Sequence, residues 1–326
     1  MRLLALALLA ISSASAQDTT WTERPDTLRG RSGTLYGTLT LPDVDGPVPV
    51  ALIIAGSGPT DRDGNQAGHG PATLVKLAHA LAARGIATLR TDKRGVAQSR
   101  GAIQALTDIT FVGYADDAAD WTDRLQADPR FSTVSLVGHS EGGLLAIIAG
   151  RARGADAVVT LAGVGAPIGD ALRRQLSDPE RLPDDALRAE ALAIVDTLET
   201  GQMVGHVSAP LLPLFIQTVQ PFLIDEMRFD PATEAAAYDG PLLIVQGTTD
   251  LQVEVADAER LAAARPDADL LIVDGMNHIL VQDAGTLAEQ VAGSYADPER
   301  PLDATLVETL AAFLRGVEPR EIAPAD

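Results

Sequence analysis

The 326-residue chain contains no cysteine. That excludes disulfides, thiolate metal sites and a cysteine nucleophile. Positive charge is scarce: 25 Lys and Arg face 45 Asp and Glu, for a formal net charge of −20. Such a balance opposes binding to nucleic acid or to anionic lipid. The only lysines are Lys76 and Lys93, so nearly all positive charge is arginine. Past the N-terminus no stretch is long and apolar enough to cross a bilayer as a helix. No G-x-G-x-x-G, phosphate loop or cluster with metal-ligand spacing stands out, so neither cofactor nor metal is expected. No internal repeat is visible.

What is present suits a large core. Hydrophobic residues make up 46% of the chain, enough for one big domain or a domain with an insertion. Met1-Arg2, an apolar run from Leu3 to Ile11, and Ala14-Ser15-Ala16 before Gln17 read as a secretory leader over residues 1–16. The run is too short to span a membrane, and no cysteine follows it to carry a lipid anchor. A secreted or periplasmic protein without a stable membrane anchor is the expectation.

Residues 18–30 read as a loose lead-in. Thr34 to Leu41 alternates and predicts an antiparallel edge strand or hairpin. Val50–Ala55, Ile86–Leu89, the run at Val134, Ala157–Leu161, Leu242–Val245 and Leu270–Val273 are short apolar strands, covered on both faces. Helices are predicted near 74–85, over 111–126 with Val112, Ala115, Ala119 and Leu125 inward, and over 304–314. Strands alternating with helices imply an α/β fold with a mostly parallel sheet. One interval breaks the rhythm. Between the strands at 157–161 and 242–245 lie roughly eighty residues, far more than a crossover needs. Leu187, Ala191, Ile194, Val195 and Leu198 share a helical face there. Residues 165–239 are therefore expected to form an inserted helical cap, with the core in 17–164 and 240–326. Phe215 and Phe222 are the cap's candidate pocket-lining residues.

The organising stretch is Val134 to Ala149. An apolar strand ends at Gly138, an apolar helix begins at Leu144, and Gly138-His139-Ser140-Glu141-Gly142 joins them. This G-x-S-x-G string, in that context, predicts a nucleophile elbow with Ser140 on a strained turn above the sheet. Gly138 and Gly142 stand where side chains would collide with strand and helix.

A serine hydroxyl needs a base, and the base needs an orienting carboxylate. In the chain order Ser, acid, His, the base follows Ser140, which leaves His206 and His278. His206 falls in the expected cap. His278 follows the strand at 270–273, at the carboxyl end where open α/β sheets build their sites. Asp250 stands in the same relation to the strand at 242–245. Glu254 and Asp257 are alternatives, read as surface residues of the next helix. His139 reads as a packing residue, and His69 and His79 as loop and helix surface. The oxyanion donors are expected to be the backbone N–H groups of Glu141 and of Ser57, in Ala55-Gly56-Ser57-Gly58. Arg62 is a candidate for a substrate carboxylate, with pairing to Asp61, Asp63 or another acid as the competing reading.

With these parts in order, residues from about 30 to 316 resemble the α/β-hydrolase superfamily. They look most like bacterial carboxylesterases and the serine aminopeptidase-like group, which carry a cap between the sixth and seventh strands. The segment from Gly56 to Gly64 resembles the oxyanion loop of some such esterases, with Ala55 where histidine often stands. Asp92, Arg94 and Gly95 resemble the family's structural D-x-R-G turn. The resemblance implies a serine hydrolase acting on small-molecule esters, with an aminopeptidase, amidase or thioesterase as the alternative. Nothing in the sequence speaks to oligomeric state.

Overall fold

The computed structural model describes residues 20–67 and 70–319; the expected leader and His69 lie outside them. Eight strands form one sheet: β1 (Trp21–Arg29), β2 (Thr34–Pro42), β3 (Val48–Ile54), β4 (Ala87–Thr91), β5 (Phe131–His139), β6 (Ala157–Leu161), β7 (Leu242–Gly247) and β8 (Asp269–Val273). Their spatial order is β1-β2-β4-β3-β5-β6-β7-β8. β1/β2 and β2/β4 are antiparallel, and every other pair is parallel.

The expected lead-in is thus an edge strand. β1 pairs along its whole length with β2, which is an interior strand rather than the edge. Most of β1 is exposed, so its polar sequence shows no alternation, and Pro25 is tolerated because an edge strand need not donate on both sides.

The parallel strands alternate sides because successive side chains point to opposite faces. Val50, Leu52 and Ile54 of β3 join one apolar cluster, and Ala51 and Ile53 join the other. Helix α1 (Thr73–Ala82) and the C-terminal helix α11 (Ala304–Gly316) cover the second face through Leu74, Leu77, Leu306 and Leu310. The first face carries α2 (Phe111–Gln126), α3 (Glu141–Arg153) and, further along, α9 (Val255–Ala264). In α2 the inward residues are Phe111, Tyr114, Ala115, Ala118, Ala119, Trp121 and Leu125, whereas Val112 points outward, 37% exposed.

Between β6 and β7 the chain forms α4 (Ile168–Ser177), α5 (Asp185–Glu199), α6 (Leu212–Phe215), α7 (Gln220–Glu226) and α8 (Pro231–Ala236). Leu172, Ala191, Ile194, Val195, Leu198, Leu211, Phe215 and Leu223 build a third apolar cluster, separate from the two on the sheet. The end of the interval behaves otherwise. Ala235 and Tyr238 belong to the first sheet-face cluster, and the Tyr238 hydroxyl donates to the Ala155 carbonyl at 3.1 Å. After β8 comes α10 (Leu287–Ala292), close to the loop that carries His278.

Candidate active site

Ser140 sits between β5 and α3 with φ 56° and ψ −125°, a conformation that L-residues rarely adopt. Such backbone costs on the order of 1–3 kcal/mol and persists only where its surroundings fix it. The two elbow glycines do this by close contact. A Cβ at Gly138 would lie 2.0 Å from the Gly142 carbonyl oxygen, and one at Gly142 would lie 2.4 Å from the Ile54 oxygen. Strand, turn and helix are therefore nested more tightly than any side chain permits. The Ser140 amide donates to Leu161 at 2.9 Å, tying the turn to β6.

Asp250 and His278 come from loops after β7 and β8 and meet as a buried pair: His278 Nδ1 lies 2.8 Å from Asp250 Oδ2. The two loops can approach because of Gly247, where a Cβ would lie 1.9 Å from the Met276 carbonyl oxygen. Asp250 Oδ1 accepts the amides of Gln252 and Val253 at 2.8 and 3.0 Å, and Gln246 Nε2 donates to Oδ2 at 2.9 Å. Burial pushes this carboxyl upward, but the His278 ring and the amide donors outweigh it and hold it below the usual aspartate range. Buried Asn277 shapes the His278 loop: its Oδ1 accepts from Ile279 and Val281, and its Nδ2 donates to Ser294 at 3.0 Å.

Beside this pair lies His139, which does more than pack. Its Nε2 is 2.8 Å from the His278 carbonyl oxygen, and the two rings are 4.8 Å apart. Only a ring with hydrogen on Nε2 can make that bond. Loss of hydration, then the neighbouring His278, push its pKa down to about 4, which keeps the ring neutral.

The loop after β3 approaches from the other side. A Cβ on Gly56 would lie 2.9 Å from Ser140 Cβ, so Gly56 permits this closeness. The Lys93 ammonium donates to the Gly56 carbonyl. That carbonyl and the Ser57 N–H belong to one trans peptide and point opposite ways. Lys93 thus fixes which way the Ser57 N–H faces. The Glu141 N–H is at the first position of α3, where no intrahelical acceptor exists. Its side chain does not face solvent: it is buried, bonded to the Ser57 hydroxyl, and 3.9 Å from Lys93 Nζ.

Two cavities meet at Ser140. One, of about 290 Å³, is lined by Gly56, Ser57, His139, Ser140, His278 and Tyr295. The other, of about 480 Å³, runs under the inserted helices past Tyr114, Glu141, Phe222, Leu223 and Glu226. Ser140, Ser57 and Gln252 border both.

This arrangement suits one fold: a strained serine at a strand-to-helix turn, with an acid and a histidine on successive later strand ends, above a parallel sheet with antiparallel β2. The chain has the α/β-hydrolase fold. A family profile described as serine aminopeptidase, S33, matches residues 71–182 of this chain, a span holding the elbow but neither Asp250 nor His278. Esterase EstD of Thermotoga maritima is 27% identical over 255 residues. These are 77% of this chain and 59% of that protein, so the chain spans less than two thirds of the length of this curated relative. Among solved structures, the α/β hydrolase GrgF from Penicillium sp. sh18 superposes with a TM-score of 0.58 at 17% identity, covering 91% of this chain and 99% of that one. Est1E from Butyrivibrio proteoclasticus, solved with ferulic acid bound, gives 0.55 at 17% identity, covering 86% and 93%. Both likenesses are of fold. By sequence the chain is similar to an esterase.

Other predicted site residues lie elsewhere. Arg62 lines neither cavity. Its guanidinium pairs with Asp92 at 2.5 Å and bonds Thr38 and Gln98, so it braces the Gly56–Gly64 loop against the D-x-R-G turn. Phe215 is fully buried in the cluster of the inserted helices, while Phe222 does reach the larger cavity, edge-on to Phe111 and Tyr114. Asp257 is buried rather than on the surface, accepting the amides of Gly165 and Ala166 and pairing with Arg174. Lys93 and Glu226 escaped the sequence reading, because a charged residue is by default a surface residue.

Proposed function

We propose that this protein is a hydrolase that cleaves carboxylic esters through an acyl-enzyme. The observation that supports the reading is that Ser140, on its strained elbow, opens onto the same cavity as the Asp250-bound His278. In this mechanism Ser140 Oγ attacks the acyl carbon while His278 Nε2 takes its proton. Asp250 keeps hydrogen on Nδ1 and stabilises the imidazolium. The developing oxyanion receives the N–H groups of Ser57 and Glu141, and Lys93 holds the peptide that presents the first. The acyl–oxygen bond of the ester breaks, His278 protonates the departing alkoxide, and the alcohol leaves. Water, deprotonated by His278, then attacks the acyl-serine, releasing the acid and returning the proton to Ser140.

The leaving group must lie within reach of His278. Because His278 lines the smaller cavity, that cavity takes the alcohol, and the larger one takes the acyl chain. Aryl-acyl esters are a natural first panel, given the ferulic acid seated in Est1E. The S33 description of the matching profile favours an aminopeptidase as the second reading. We also read residues 1–16 as a secretory leader, so that the exported chain begins at Gln17. Labelling by a fluorophosphonate probe, lost in Ser140→Ala, is the expected result. Labelling that survives that change removes Ser140 from the mechanism. Turnover of aminoacyl-anilides faster than of matched 4-nitrophenyl esters replaces the esterase reading by the peptidase one.

A further inference from the structure

The larger cavity is mostly apolar, yet it holds two acids. Glu226, on α7, is 1% exposed, and its Oε1 has no hydrogen-bond partner among the described residues. Glu141 is 4% exposed, and its Oε1 likewise has none: Lys93 Nζ is 3.9 Å away, beyond bonding distance. Both side chains line the cavity that Ser140 borders. Buried polar atoms are ordinarily bonded, so two unpartnered carboxyl oxygens on residues that line one cavity call for a ligand group that completes them.

We propose that Glu226, assisted by Glu141, is a polar anchor in the acyl cavity and selects acyl groups that carry a hydroxyl. The inference rests on the reading that this cavity takes the acyl chain. A hydroxyl can donate to one carboxyl oxygen and accept from a protonated one, which suits both acids at once. Charge argues for a neutral group rather than an ammonium. Lys93, lying 5.1 Å over the Tyr114 ring, already offsets Glu141. Burial and the neighbouring Glu141 push Glu226 well above the usual carboxyl range, which favours its neutral form. The site is thus balanced without a second cation. The apolar walls, among them Phe222 and Leu223, suit the rest of the chain or ring. The same anchor acts in a site that would otherwise accept any apolar acyl group of fitting size; pockets that hydrogen-bond a substrate hydroxyl reject analogues lacking it far more strongly than apolar pockets discriminate by size.

The test uses 4-nitrophenyl esters of straight-chain acids of graded length and of phenylpropionic acid, each with and without a terminal or para hydroxyl. The expected result is that at least one hydroxylated ester exceeds its parent in kcat/KM by about tenfold or more. That ratio falls to about one in Glu226→Leu and is largely kept in Glu226→Gln, which still donates and accepts. Binding of the corresponding methyl esters to Ser140→Ala, read by calorimetry, shows the same preference without chemistry. No preference in the wild type, a preference unchanged in Glu226→Leu, or a greater preference for ammonium-bearing analogues overturns the anchor. Turnover of the esters without preference sinks the anchor alone. Selective binding without turnover keeps the anchor and sinks the hydrolase reading.

Discussion

Asp250 accepts from two backbone amides, from Gln246 and from His278, whereas Glu226 Oε1 accepts from no group among the described residues. Both acids are buried and both border the space around Ser140, one through His278 and one across the larger cavity. Their surroundings drive them apart: the His278 ring and the donors pull Asp250 towards its ionised form, and burial with a like neighbour pushes Glu226 towards its neutral one. The contrast separates two tasks. Groups that handle the proton must be held in one geometry before substrate arrives. A group that recognises substrate keeps its bonding capacity open until then.

The sharpest way to break the comparison is to remove the charge from the saturated side. Asp250→Asn leaves the shape but presents an amide to Nδ1, and kcat should fall by about 10³- to 10⁴-fold. A loss below about tenfold on a 4-nitrophenyl ester denies Asp250 the orienting role. Next is Lys93→Met, which frees the Gly56 carbonyl and loosens the Ser57 N–H. We expect kcat to drop by about 10- to 100-fold with KM little changed, since the donor serves the transition state. An equal rise in KM shows instead that Lys93 shapes ground-state binding. Smaller again is His139→Phe, which strips the His278 carbonyl of its donor at the pocket wall; kcat should fall several-fold, up to about tenfold. Unchanged kcat reduces His139 to packing.

The gentlest probe is Glu226→Gln, read as stability against pH. A carboxyl whose folded pKa stands above its ordinary 4.5 is protonated in the native state and ionised in the unfolded one across the gap. The native state therefore loses stability as pH rises from about 4.5 towards the folded value, and the amide does not. The Tm of the variant relative to wild type should accordingly grow as pH is raised from 4 to 8, by a few degrees at most. A flat difference means that folding leaves the Glu226 pKa unshifted. Asp250 has the opposite sign: its depressed folded pKa adds stability that is lost only as pH falls below the ordinary aspartate range.

How much of this was legible in the sequence follows from the range of each signal. The elbow and the strand ends at Asp250 and His278 are local patterns, so the string of residues reveals the type and place of each. β1 was hidden because an exposed edge strand needs no apolar alternation. Arg62 and Phe215 were located in plausible segments, but which side of a loop or helix faces a cavity depends on partners such as Asp92 and the α5 residues, distant in the chain. Lys93, Glu141 and Glu226 form a cluster whose members are separated by 48 and 85 positions, and only folding brings them together.

Gly247 shows how such a scaffold shapes what can change. Its missing side chain lets the Met276 carbonyl come within 1.9 Å of where Cβ would be, so even alanine would force β7 and the His278 loop apart. Laboratory evolution towards a new ester should therefore scatter its substitutions through the inserted helices and return glycine here in every survivor. A position with no contact to the ester would then be the most intolerant marker of whether chemistry persists.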